Sequence, residues 1–232
     1  VPACHIEALL NNLLTENKEV ALYRPAKLKT LTQKDNLVTL TVTRGDEEII
    51  IESPLVIAAD GADSTVRQAL GIKAETFAYE QTAIVTRTTL KRSHAHIAYE
   101  RFHAEGAIAM LPLHHDECAT IWTADNAFAK SLLALDDKTF LARLQQSFGY
   151  RLGKLSNVSK RHAFPLQLTR AEKMVDGGVM LLGNSAHAMH PIAAQGFNLA
   201  LYEVAMLLEH IRKKRTAHQP LTAEDLQEVS RQ

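Results

Sequence analysis

The stretch Leu55-Val56-Ile57-Ala58-Ala59-Asp60-Gly61-Ala62-Asp63-Ser64 decides how the chain is read. An apolar run without polar alternation describes a strand buried on both faces, the pattern of a parallel sheet covered by helices. Asp60-Gly61 closes it. A carboxylate next to a backbone with no side chain, at the carboxyl end of such a strand, stands where open α/β sheets hold their ligands. Ser64 and Thr65 then open a short helix over 64–70, with a hydroxyl to cap it and Arg67 to supply charge. The plain alternative is a strand that leaves through a turn into a capped helix.

Outward from this stretch, a second buried run over 179–182 leads into Gly183-Asn184-Ser185-Ala186-His187-Ala188-Met189-His190-Pro191-Ile192-Ala193-Ala194-Gln195-Gly196-Phe197-Asn198. A strand thus passes through a small-residue, proline-broken loop into the longest helix. In that helix Phe197, Leu201, Val204, Leu208 and Ile211 recur at helical spacing. The unpaired N–H groups at its start suit a phosphate or the electron-rich pyrimidine edge of a reduced flavin. Ala193, Ala194 and Gly196 let a flat ring approach the backbone.

Between the two runs the texture is different. Segments over 83–90, 96–102, 107–113 and 118–123 read as an antiparallel sheet, followed by helices over 126–135 and 138–148 and a strand over 158–167. Before the first run, a helix over 3–16 precedes strand-like segments over 19–23, 26–31, 37–42 and 48–51. The order is α/β material, an antiparallel insertion, then α/β material again. The expected fold class is α/β, an incomplete Rossmann-like domain (1–73 and 166–232) with an antiparallel-sheet domain (74–165) spliced into it.

Composition narrows the function. The 232 residues carry 26 Lys+Arg against 26 Asp+Glu, so the basic footprint of a nucleic-acid binder is missing. Two cysteines suit a reducing compartment and are too few for a disulfide framework. No apolar run approaches the length of a membrane span, and no signal-peptide pattern stands at the start. The expected localisation is cytoplasmic. Three other chemistries have partial signatures. Gly183-Asn184-Ser185-Ala186-His187 approaches the G-x-S-x-G nucleophile elbow, but His187 stands where the last Gly belongs and no Asp-then-His pair follows Ser185. His187 with His190, or His94, His96 and His103, offer metal-ligand types without an H-E-x-x-H spacing, so no metal is expected. Arg212-Lys213-Lys214-Arg215 could meet anionic lipid, although cations also cap a helix C-terminus favourably.

The sequence resembles the FAD-dependent aromatic hydroxylases of ubiquinone biosynthesis, within the para-hydroxybenzoate hydroxylase fold group. The resemblance is carried by Ala58-Ala59-Asp60-Gly61-Ala62-Asp63-Ser64, Tyr79-Glu80-Gln81-Thr82-Ala83, Glu100-Arg101-Phe102, Ala109-Met110-Leu111-Pro112, Ser147-Phe148-Gly149-Tyr150-Arg151-Leu152-Gly153-Lys154, and His190-Pro191 through Asn198. It implies a flavoprotein monooxygenase that takes electrons from NAD(P)H and hydroxylates a polyprenylated phenol ring. It assigns Asp60 and Gly61 to FAD and the nicotinamide donor, Gly183 and Asn184 to the ribityl region, and Pro191, Gln195, Gly196, Phe197 and Asn198 to the flavin ring. Asn184 departs from the usual Asp, and Ala194 stands where Gly is common. The resemblance also admits a peripheral place on the inner membrane or in a ubiquinone-biosynthesis complex.

One family feature is missing: no G-x-G-x-x-G follows a strand. The chain also opens Val-Pro-Ala without Met. The expectation is a piece of a longer protein that lacks FAD and activity by itself, with self-association through an exposed strand edge. Two alternatives stay open: a sister hydroxylase acting at another ring carbon, and a non-catalytic binding or assembly module.

Overall fold

Residues 3–189 and 195–231 are described by the computed structural model. In chain order they form α1 (Ala3–Glu16), β1 (Lys27–Lys34), β2 (Leu37–Arg44), β3 (Glu47–Ser53), β4 (Val56–Ala58), α2 (Thr65–Ala69) and β5 (Ala74–Leu90). Then come β6 (Tyr99–His103), β7 (Gly106–Pro112), β8 (Glu117–Asp125), α3 (Asn126–Leu133), α4 (Asp137–Phe148), β9 (Leu155–Val158) and β10 (His162–Ala171). The last elements are β11 (Val175–Asp176), β12 (Val179–Leu181), a 3-10 turn (Gly183–Ser185), β13 (His187–Ala188), α5 (Gln195–Thr216) and α6 (Ala223–Val229).

The chain divides into two units, one of Val1–Lys18 with Ala78–Leu166, the other of Glu19–Phe77 with Gln167–Gln232. In the first, β8 pairs antiparallel with β5 on one side and β7 on the other, and β6 adds to β7. One face of this sheet meets α3 and α4. Alternation explains why: Ile84, Ile108, Met110 and Trp122 all point to that face and are fully buried, packed with Phe140 and Leu144. Asp125 and Asp136 start the two helices by accepting the N–H of Phe128 and of Thr139, each at 2.8 Å.

The second unit holds the antiparallel meander β1-β2-β3 and a small sheet in the order β11-β12-β4. β12 and β4 are parallel, with Val179 opposite Val56, Met180 opposite Ile57 and Leu181 opposite Ala58. The two apolar runs read from the sequence are therefore adjacent strands that point the same way, so Asp60 and Gly183 leave from one edge. This is the α/β element of the mixed fold.

Several local expectations change. Residues 19–23, expected as a strand, form none; Pro25 follows shortly after without an N–H to donate to a ladder. β5 begins at Ala74, nine residues before its expected start at 83, because its early part alternates polar and aromatic residues and lacks a long apolar signal. α6 was not anticipated, although Thr222 and Asp225 form a capping pair in which Asp225 Oδ2 accepts from the Thr222 N–H at 2.8 Å. In α5 the apolar row Phe197, Leu201, Val204 and Leu208 is exposed, and Leu207 is the buried residue, packed with Met206, Ile211 and Leu226. No helix among the described residues is long and apolar enough to cross a membrane.

Candidate functional site

The site forms where β4 and β12 end. After β4, the Asp60 carboxylate accepts the Val66 N–H through Oδ2 at 3.1 Å, so one oxygen caps α2. Its other oxygen has no partner among the described residues, and the residue is exposed. Gly61 follows in the left-handed region at φ 88°, with no atom of the described residues within 4 Å of the place a Cβ would take. Glycine adopts this turn without strain.

After β12, Gly183 has φ 60° and begins the 3-10 turn, with Asn184 exposed between buried Gly183 and Ser185. Ser185 is wholly buried. Its hydroxyl donates to the Ala58 carbonyl at 2.6 Å and accepts the Leu182 N–H at 2.9 Å, which locks the end of β12 to the end of β4. A hydroxyl so enclosed and so engaged is no nucleophile, and the elbow reading fails on burial. Arg67 completes the tie. Its guanidinium donates to the Ser185 carbonyl and to the Ala62 carbonyl, each at 2.7 Å, while Ser64 Oγ accepts its backbone N–H at 2.9 Å. The charge expected to serve a ligand holds the two loops together instead.

α5 starts beside this turn. A Cβ at Gly183 would lie 3.2 Å from the Ala200 Cβ, a close approach that the absent side chain allows. Glu203 accepts the Gly183 N–H at 2.8 Å and pairs through its other oxygen with His187 Nε2. His187 Nδ1 is left buried without a partner, alone in this respect among the described side chains of this unit. His187 is thus held by a carboxylate through Nε2; His190, the other half of the suggested metal pair, lies outside the described residues.

Of the residues assigned from the sequence, Asp60, Gly61, Gly183, Asn184, Gln195, Gly196, Phe197 and Asn198 lie on the loops and helix start described here. Pro191 lies outside the described residues. No described residue lies within 4 Å of the place a Cβ would take at Gly196, and Phe197 and Asn198 are exposed. Glu203 and the roles of Ser185 and His187 are not legible in the sequence, since no helical period relates Glu203 to the Gly183 turn, which lies outside α5.

Two other features do not compete. A cavity of about 420 Å³ is lined by Gln33, Asn36, Pro54, Gly178, Thr222 and Glu224, at the amino ends of β4 and β12 and away from the edge where such sheets bind. His210, Asp225 and Glu228 converge closely enough to share an ion. Asp225 Oδ1, however, is already met by Lys214 Nζ at 2.7 Å and by His210 Nε2 at 3.0 Å, so an ammonium group occupies the cation's place.

The left-handed turn at Gly61 and the Asp60 oxygen with no partner among the described residues fit a polar ligand lying along this edge. A flavin dinucleotide meets that description. Residues 1–218 match the family model described as "FAD binding domain". The chain is 37% identical over 190 residues to ubiquinone hydroxylase UbiL of Rhodospirillum rubrum, covering 82% of this chain and 44% of that protein. It is 29% identical over 211 residues to 3-demethoxyubiquinol 3-hydroxylase of Escherichia coli, covering 91% and 53%. Among solved structures it superposes on pqsL, a probable FAD-dependent monooxygenase from Pseudomonas aeruginosa, with TM-score 0.79 at 18% identity, covering 97% of this chain and 63% of that one. The chain spans about half the length of the curated relatives it matches.

Proposed function

The chain belongs to the FAD binding domain family of FAD-dependent hydroxylases, and on that premise we propose that it is the part of a monooxygenase that seats the flavin and hydroxylates a polyprenylated phenol in ubiquinone biosynthesis. The single observation that carries the proposal is structural: the Asp60-Gly61 turn and the Gly183 turn leave the same edge of a parallel strand pair and are bolted together by Ser185 and Arg67.

The roles follow from what each residue presents. Asp60 offers a carboxylate oxygen to a hydroxyl donor, and Gly61 lets the ligand approach its backbone. Asn184 projects an amide from the turn; lacking charge, it donates as well as accepts. The α5 start, with Gln195, Gly196, Phe197 and Asn198, supplies N–H groups and a helix dipole to an electron-rich ring edge. When bound, FAD supplies the redox chemistry, taking electrons from NAD(P)H and activating oxygen; the protein supplies orientation and field. In this reading the antiparallel sheet of the other unit carries the residues that select the substrate. The polyprenyl tail is consistent with a peripheral place at the inner membrane or in a biosynthetic complex.

The relatives are named for different activities, a ubiquinone hydroxylase and a 3-demethoxyubiquinol 3-hydroxylase, and this favours a second reading in which a sister ring carbon is the target. One experiment addresses both. The protein at its full encoded length is incubated with FAD, reduced nicotinamide and a panel of prenylated phenols of the 2-octaprenyl-6-methoxyphenol class, and products are identified by mass spectrometry. Hydroxylated product supports the proposal, and its position selects the carbon. Nicotinamide oxidation and hydroxylation both absent, with FAD bound, would leave a non-catalytic module.

A further inference from the structure

We propose that Glu203 is a positioning residue: together with His187 it clamps α5 to the Gly183 turn and so fixes the spacing between the two backbone segments assigned to the flavin. The inference rests on the flavin-site reading above. Both oxygens of the Glu203 carboxylate are spent on one loop, Oε2 on the Gly183 N–H at 2.8 Å and Oε1 on His187 Nε2. The two side chains are only 15% and 13% exposed. A carboxylate so placed is costly to desolvate, and an apolar residue of similar volume commonly serves stability as well or better.

The helix supplies the contrast. Glu203, Leu207 and Ile211 follow one another at intervals of one turn along α5, and the latter two pack into the apolar cluster with Leu226. A leucine at 203 would continue that row. The acid stands where the helix must instead be held to backbone N–H. The near approach of Ala200 to Gly183 shows the same constraint from the other side: a side chain at 183 would press on the helix that Glu203 draws in.

Glu203 is also well placed to act at a distance. It lies in the third turn of α5, eight residues beyond Gln195, and so touches none of the helix-start residues assigned to the ring. Its effect is transmitted through the rigid helix. It orients His187 as well, since the Nε2 contact fixes the imidazole and leaves Nδ1 as the buried atom without a partner.

The test compares Glu203→Leu, Glu203→Gln and the control Glu209→Gln, whose target is exposed on the same helix and paired with Lys213. Amide hydrogen exchange is read at Gly183 in the 232-residue chain, and FAD affinity and the flavin visible band are read in the protein at full encoded length. We expect Glu203→Leu to fold, to exchange the Gly183 amide about tenfold faster or more, and to bind FAD about tenfold more weakly with a shifted band. Glu203→Gln should show the same effects in smaller measure, and Glu209→Gln none. Unchanged exchange at Gly183 would overturn the clamp, and faster exchange with unchanged flavin affinity and band would overturn its positioning role. If both Glu203 variants fail to fold, Glu203 is a folding residue and the proposal falls. If the unsubstituted protein binds no FAD, the flavin-site reading fails, while the exchange result still decides whether Glu203 holds the turn.

Discussion

Arg67 donates to the carbonyl of Ser185 at 2.7 Å across 118 residues of sequence, and through this bond the end of the first parallel strand holds the end of the second. The guanidinium is buried and shared with the Ala62 carbonyl. Arg67→Met keeps the stem volume and removes both donors. Two backbone acceptors then lose their partners, and the loss of stability is expected to be about 2 to 4 kcal/mol. Denaturant unfolding followed by circular dichroism measures it. A midpoint within error of the unsubstituted chain would show that the loops hold without the arginine.

Asp60 has two duties that substitution can separate. Asp60→Asn keeps an acceptor for the Val66 N–H and removes the charge, while Asp60→Ala removes both. Stability is expected to fall by about 1 kcal/mol in the alanine variant alone, the usual worth of a cap. FAD affinity of the protein at full encoded length is expected to fall about tenfold or more in both, as charge-assisted hydrogen bonds contribute roughly 1.5 to 3 kcal/mol. Flavin fluorescence titration gives the affinities; an asparagine variant that binds FAD normally would reduce Asp60 to a helix cap.

Acid should reach α6 late. Burial by itself would raise the Asp225 carboxyl, but hydrogen bonds from Lys214, His210 and Thr222 outweigh it and hold the group well below the usual carboxylate range. A depressed folded value means the stabilisation is complete above the unfolded value of about 3.9 and drains away only as pH falls through the folded one. The α5–α6 contact should therefore stay intact at pH 5. Asp225→Asn should remove the same stabilisation at neutral pH and flatten the acid limb of the unfolding midpoint against pH. An acid limb unchanged by the substitution would assign it to other carboxylates.

The two cysteines should separate cleanly in reactivity. Cys118 is fully buried in β8, and burial pushes its thiol up to about 11, whereas Cys4 is exposed on α1. At pH 8 a thiol reagent should label one equivalent quickly and the second only on unfolding, since the thiolate is the reactive form. Mass spectrometry after brief labelling locates the adduct, and rapid modification of Cys118 would mean that the sheet opens readily.

What the sequence disclosed follows the range of each signal. The runs at 55–59 and 179–182 are a parallel pair, but only β12 is buried on both faces as an unbroken apolar string suggests; in β4 Ile57 is exposed. The glycines announced backbone approach. Arg67 and Ser185 are different: each was visible as a residue type, but its partner lies more than a hundred positions away, and no local period encodes that pairing. Glu203 was hidden by the apolar row on its own helix. That row drew attention to Phe197, Leu201, Val204 and Leu208, which are exposed, and away from the polar face that meets the Gly183 turn.

The ties at the carboxyl edge, from Asp60 to Val66, Arg67 to Ala62 and Ser185, Ser185 to Ala58, and Glu203 to Gly183 and His187, all begin and end within Glu19–Phe77 and Gln167–Gln232. None calls on a side chain of Ala78–Leu166. Recombination that exchanges the segment between β5 and β10 for a sheet of different lining would leave this lattice of bonds unedited. Under the function proposed above, substitutions in Ala78–Leu166 and substitutions at this edge would act through separate sets of bonds.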